Sequence, residues 1–189
     1  MPFLILLGVV VVIALWVMGA YNRLIGLRNQ TQNGWKQIDV QLKRRHDLIP
    51  NLVNTVKGAM DFEKGTLTAV MEARNKAMAA AGPADASQKE GALTQALGRL
   101  FAVAENYPQL RSNENVKMLQ EELSSTENKI GFARQFYNDI ATKFNIARET
   151  FPSNMIANSF GFTRAELFEI TDAADRAVPT VDLSMNKPA

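Results

Sequence analysis

The sequence predicts an all-α protein, with an N-terminal transmembrane helix followed by an elongated antiparallel helical bundle of about four helices, two long and two shorter. Three observations carry that expectation. The chain opens on an unbroken apolar run, and the remainder spaces its apolar residues at alternating intervals of three and four over long stretches. Nowhere does the period-two alternation of a half-buried strand compete. A chain of 189 residues is enough for one core and short for two.

The apolar run is FLILLGVVVVIALWVMGA, Phe3 to Ala20, eighteen residues without a charge. As a helix it spans about 27 Å against a hydrocarbon core of about 30 Å. A cleaved signal peptide would begin with a positive segment and end in a small-x-small site. Here nothing basic precedes the run, and Met18 stands where a small residue is expected. The lipid bilayer is thus the expected partner of residues 3–20. Because Arg23, Arg28 and Lys36 all follow the run, the bias of basic residues toward the cytoplasm places the N-terminus out and the following domain in.

Beyond the anchor, Leu24, Leu27, Thr31, Trp35, Ile38, Leu42, Arg45, Ile49, Leu52 and Val56 form one helical stripe. It begins so soon after Ala20 that anchor and first bundle helix, Tyr21 to Met60, read as one rod. A second helix is expected from Phe62 to Ala81, stopping at Gly82-Pro83, and a third from Ser87 to Asn106, ahead of Pro108. The fourth runs from near Ser112, read as its N-cap, to Phe151 before Pro152. At some 38 residues it measures about 57 Å. Short helices broken near Gly161 follow. The expected division is a transmembrane anchor at 1–20, a bundle at 21–175 and a C-terminal tail at 176–189.

The stretch QLKRRHDLIPNLVNTV, Gln41 to Val56, holds the one histidine and a proline inside a helical pattern. A straight helix puts Arg44 about 36 Å beyond Ala20, several Debye lengths of about 8 to 10 Å from the leaflet. Lipid is therefore not the partner of this cluster. A nucleic-acid patch would carry interleaved aromatics or a recognised module, and neither is present, so no nucleic acid is expected. On a helical wheel Arg45 falls on the apolar stripe, while Lys43, Arg44 and Asp47 point elsewhere. An arginine on a packing seam must be paired, because an unpaired buried charge costs several kcal/mol. The expectation is a cross-helix polar network joining Arg45 and Asp47 to Glu122, Glu127 and Asn128 of the fourth helix, with Arg134, Tyr137 and Asn138 as further members. Pro50 lies off the stripe and is expected to bend the helix toward its core by removing the hydrogen bond to the His46 carbonyl. The alternative is a new helix starting at Pro50 after a loop.

No catalytic residue, cofactor site or metal site emerges. Charge is near balance, with 21 basic and 19 acidic residues, and there is no cysteine, which removes thiolate ligands and thiol nucleophiles. A di-metal carboxylate bundle needs two Glu-x-x-His pairs, but His46 has Lys43 three residues before it. No strand-turn-helix elbow signals a nucleophile.

The segments VQLKRRHDLIPNLVNTVKG, YPQLRSNENVKMLQEELSSTENKIGFARQFYND and FPSNMIANSFGF, with the closing VPTVDL, make the chain resemble the LemA family. The resemblance begins at the anchor and spans nearly the whole chain; Leu183 stands where the family usually carries an aromatic residue. It implies a bacterial single-pass protein of the cytoplasmic (inner) membrane with an elongated antiparallel bundle, no established enzymatic activity and no cofactor. The expected role is a non-catalytic, membrane-anchored scaffold or assembly protein of the cell envelope. Its expected partner is an unidentified membrane or cytoplasmic protein, or a second copy in a homo-oligomer. The alternatives are a regulatory subunit of a membrane-linked enzyme such as an envelope protease, and a membrane-shaping protein. Exposed apolar contact points are expected among Phe132, Phe136, Phe160, Phe162 and Phe168.

Overall fold

The structure is a computed structural model that describes residues 2–60 and 63–169. The described residues form helices α1 (Pro2–Lys57), α2 (Lys64–Met78), α3 (Pro83–Ala104), α4 (Pro108–Arg111), α5 (Glu114–Glu149) and α6 (Ser153–Ser159), with no strand among them. The proposed tail at 176–189, with Leu183, lies outside the described residues, as do Asp61 and Phe62 at the expected start of the second helix.

Anchor and first bundle helix are indeed one element. α1 runs 56 residues without a break, about 84 Å. Its apolar beginning is long enough to cross a membrane, and none of that stretch is buried by the rest of the protein. α5 packs antiparallel along the remainder: Leu24 lies in one core with Phe144 and Ala147, Ile38 with Ile130 and Tyr137, and Ile49 with Leu123. The two helices approach closely at Gly34, where an added Cβ would meet the Tyr137 Cα at 3.4 Å. The α2–α3 hairpin covers this pair at the end far from the anchor, in a core built on Ile49, Leu52, Val56, Val70, Leu93 and Leu100. At the anchor end, α6 and the extended residues 162–169 take its place, in cores holding Phe162 and Phe168.

Local chemistry moves several expected boundaries. α3 starts at Pro83 rather than Ser87, since proline suits the first helical position and Gly82, at φ 87°, makes the turn before it. Asp85 accepts from the Ala81 amide and pairs with Lys89, each at 2.7 Å. Its carboxyl is held below the ordinary value, first by Lys89 and then by that amide. The N-cap of α5 is Asn113, not Ser112: its side chain accepts from the Asn115 and Val116 amides at 2.9 and 3.3 Å. Ser112 ends the short α4 instead. After α6, Gly161 at φ 68° and the bonds from the Phe162 amide to the Ala157 carbonyl and from the Gly161 amide to the Asn158 carbonyl complete a Schellman closure. That closure drops Phe162 back onto Ile156 and Ala157.

Helix α1 continues through Pro50, so no new helix begins there. Pro50 is half-buried beside α2, where it lines a groove with Leu67, Met71 and Asn75, rather than facing solvent. Its missing N–H would have gone to the His46 carbonyl, and that carbonyl instead accepts from Arg74 Nε at 2.7 Å. The two residues are one device. Arg74→Met should therefore cost about 1 to 3 kcal/mol by orphaning the carbonyl. In a Pro50→Ala background, which returns an N–H, the same change should cost clearly less. Urea unfolding of the four proteins checks it, and equal costs in both backgrounds would refute the coupling.

Candidate functional site: a buried polar layer in the bundle

Three helices change character at one level. On α1 the apolar Leu42 and Ile49 bracket Arg45 and His46; on α3 Ala86 and Leu93 bracket Glu90; on α5 Ile130 and Leu123 bracket Glu127 and Thr126. Each bracket is seven residues, two helical turns. The polar residues thus form a layer between the core next to the hairpin and the core around Tyr137.

Arg45 is the centre of that layer, 3% exposed. Its Nη1 donates to Glu90 Oε2 at 3.1 Å, and its Nη2 donates to Thr94 Oγ1 at 2.8 Å and reaches Glu127 Oε2 at 2.7 Å. Glu90, 5% exposed, turns its other oxygen to His46, whose Nε2–H donates at 2.6 Å. One buried carboxylate thereby joins two consecutive residues of α1. His46 is buried inside the layer as well. Arg44, by contrast, pairs with Glu122 at the surface.

The expected network is thus only partly assembled at one place. Glu127 meets Arg45. Glu122 does not, because Arg44 takes it. Asp47 is exposed and makes no hydrogen bond or ion pair among the described residues, Arg134 is half-buried without one there, and Asn128 lines an open groove on the outer face of α5 with Glu121, Lys129 and Phe132. Tyr137 and Asn138 belong to a second assembly further toward the anchor. Glu90 and Thr94 were missed. The signal was available: Ala86, Glu90, Leu93 and Leu97 keep the same alternation of four and three, which puts Glu90 on the α3 seam as Arg45 lies on that of α1.

In the second assembly, residues 162–169 are held by side chains of α5. Asn145 donates Nδ2–H to the Ala165 carbonyl and accepts from the Ala165 amide, both at 2.9 Å. Asn138 does the same to Phe168 at 3.0 and 2.9 Å. The Tyr137 hydroxyl donates to the Glu166 carbonyl at 2.6 Å, and Arg148 Nε to that of Phe162 at 2.7 Å. Ser87 at the start of α3 donates to the Glu169 carbonyl. Phe162 and Phe168 are buried here, whereas Phe132, Phe136 and Phe160 are exposed.

Burial, and secondarily the charge of Glu166, pushes the Tyr137 phenol up to about 12. The folded protein then holds this proton over a range where the unfolded chain, near 10, has lost it. Stability from this group is complete below pH 10 and falls as pH rises toward 12, by at most about 2 to 3 kcal/mol. Tyr137→Phe should flatten that window in unfolding curves taken from pH 9 to 12. An identical alkaline decline in both proteins would contradict it.

An all-α bundle with one apolar N-terminal helix, a polar layer locking three helices and an extended return segment defines a membrane-associated helical protein. The LemA family matches residues 34–183, most of the chain, and the protein belongs to that family. It is 28% identical to magnetosome protein MamQ 2 of Paramagnetospirillum magneticum, over 94% of this chain and 74% of that protein. Magnetosome protein MamQ of Magnetospirillum gryphiswaldense is 24% identical over 85% and 68% of the two chains. The protein LemA of Metamycoplasma hominis is 26% identical over 87% and 76%.

Proposed function

We propose that the protein is a non-catalytic, membrane-anchored scaffold of the bacterial cell envelope. Residues 3–20 hold it in the cytoplasmic membrane with the N-terminus out and the bundle in the cytoplasm. It acts by contact with another protein or with its own copies.

One observation carries the reading. Glu90 and the two terminal nitrogens of Arg45 are spent on neighbouring helices, whereas the outer face of α5 presents Met118, Phe132 and Phe136 to solvent, with Phe132 75% exposed. They sit fourteen and four residues apart, on one side of the helix. Exposed apolar groups gathered on one face mark contact surfaces more than scattered ones do. A photo-crosslinking residue at Phe132 or Phe136 in living cells should capture a discrete protein adduct, and one at Asp39, exposed on α1, should not. Adducts absent at both phenylalanine positions would count against scaffolding through this face.

A further inference from the structure

The geometry points to the α5–α6 corner as an interfacial foot, which dips Phe151 and Met155 into the same bilayer that α1 crosses and so fixes the stance of the bundle. This rests on reading residues 3–20 as the span.

The corner is apolar where a surface turn has no need to be. Ile146, Phe151, Met155 and Phe160 are 59%, 75%, 61% and 58% exposed. α6 also buries Ile156 and Ala157 against Leu24, with Val17, Ala20, Tyr21 and Ile25 packed alongside. Within the seven residues of α6, Ile156 and Ala157 turn inward and Met155 turns out, with the exposed Phe151 and Phe160 flanking the helix on either side. The inward contacts set the level: Phe151 and Pro152 share a groove with Trp16, Gly19 and Ala20, so the corner reaches residues inside the apolar run. Trp16 lies about 6 Å below Ala20 along the helix, within the depth of about 5 to 10 Å at which amphipathic segments bury an apolar face.

Continuity supplies the occupant. Because α1 is unbroken from Pro2 to Lys57, anchoring it brings the corner to the lipid surface with no separate association step. An independent peptide of this length would bind too weakly to stay. The groups just above fit a headgroup layer: Tyr21 packs at a tilt against Phe160, ring centroids 4.8 Å apart, Arg23 is exposed, and Arg28 lies over the Phe162 ring at 5.3 Å. Aromatic rings and basic side chains are what membrane boundaries select. Two supports from one rigid body, the span and the foot, would hold the bundle at a fixed tilt.

The chain has no cysteine, so single nitroxide labels can be placed at will. Full-length Val11→Cys, Phe132→Cys, Phe151→Cys and Met155→Cys proteins are labelled and reconstituted in phosphatidylcholine–phosphatidylglycerol vesicles. Collisional access to oxygen and to a polar nickel chelate is then measured. Labels at 151 and 155 should favour oxygen, with the sign found at 11, and the label at 132, about 28 Å away along α5, should favour nickel. Water-like values at 151 and 155 with a lipid value at 11 would overturn the foot and leave the anchor standing. Shielding of 151 and 155 from both agents would overturn it in favour of a protein cover. A water-like value at 11 would overturn the anchor itself.

Discussion

Arg45→Ala is expected to lower unfolding stability by about 3 to 5 kcal/mol, because it strands a buried carboxylate rather than deleting a contact. Glu90 would keep only His46 as a partner, and Thr94 would lose its donor. Glu127 is half-exposed and can return to water, so Glu127→Ala should cost about 1 kcal/mol or less. Joint replacement by Arg45→Met, His46→Leu and Glu90→Leu should recover most of the loss, since a well-packed apolar substitute for a buried ion pair is often neutral or stabilising. Urea unfolding of the solubilised protein gives the energies. A loss for Arg45→Ala alone of under about 1 kcal/mol would mean that the layer contributes no more than a surface pair.

What the joint variant should lose is register. Apolar layers lie seven residues apart on α1, α3 and α5 alike, so sliding a helix by two turns sets one apolar layer on the next. Apolar packing alone does little to forbid that slip. Arg45 and Glu90 forbid it, since either would then face a wholly apolar layer, the role that a lone polar position plays in coiled coils. Spin-label distances between α1 and α5 should show one population in the natural protein and a second in the joint apolar variant.

Helix periodicity made α5 and the part of α1 beyond Ala20 legible because each keeps one stripe throughout, and Leu42, Arg45, Ile49, Leu52 and Val56 are all buried as the wheel required. Pairing between helices is not written in any one stripe. The glutamate-rich part of α5 looked like the natural partner of Arg45, and it does supply Glu127 from the half-exposed edge of the layer, but the buried carboxylate comes from α3. Asp47, one residue past His46, lies about 100° further round the helix, enough to leave the seam. The extended segment 162–169 was illegible for another reason: it has neither helical nor strand periodicity, and its partners are side chains of α5. Their spacing was the clue, because Asn138 and Asn145 are seven residues apart on one face.

That spacing leads to the second large effect. Seven helical residues rise about 10.5 Å, and three extended residues about 10 Å, so Asn138 and Asn145 stand level with Phe168 and Ala165 and each can offer its amide as a neighbouring strand would. Every clamp makes two bonds, worth about 0.5 to 1.5 kcal/mol apiece. Asn138→Ala should therefore cost about 1 to 3 kcal/mol, and the double variant with Asn145→Ala should release residues 162–169, uncovering Trp35 and Tyr137, which flank Phe168. Substitution by aspartate separates the clamp from mere polarity. Asn138→Asp can still accept from the Phe168 amide but sets a carboxylate against the Phe168 carbonyl where Asn138 donates at 3.0 Å. It should destabilise at least as much as alanine at neutral pH and recover as the carboxyl protonates in acid. Hydrogen exchange of the Ala165 and Phe168 amides, each held by an asparagine oxygen, reads the release directly. Protection unchanged in the double alanine variant would show that burial of Phe162 and Phe168, not the asparagine pair, holds the segment.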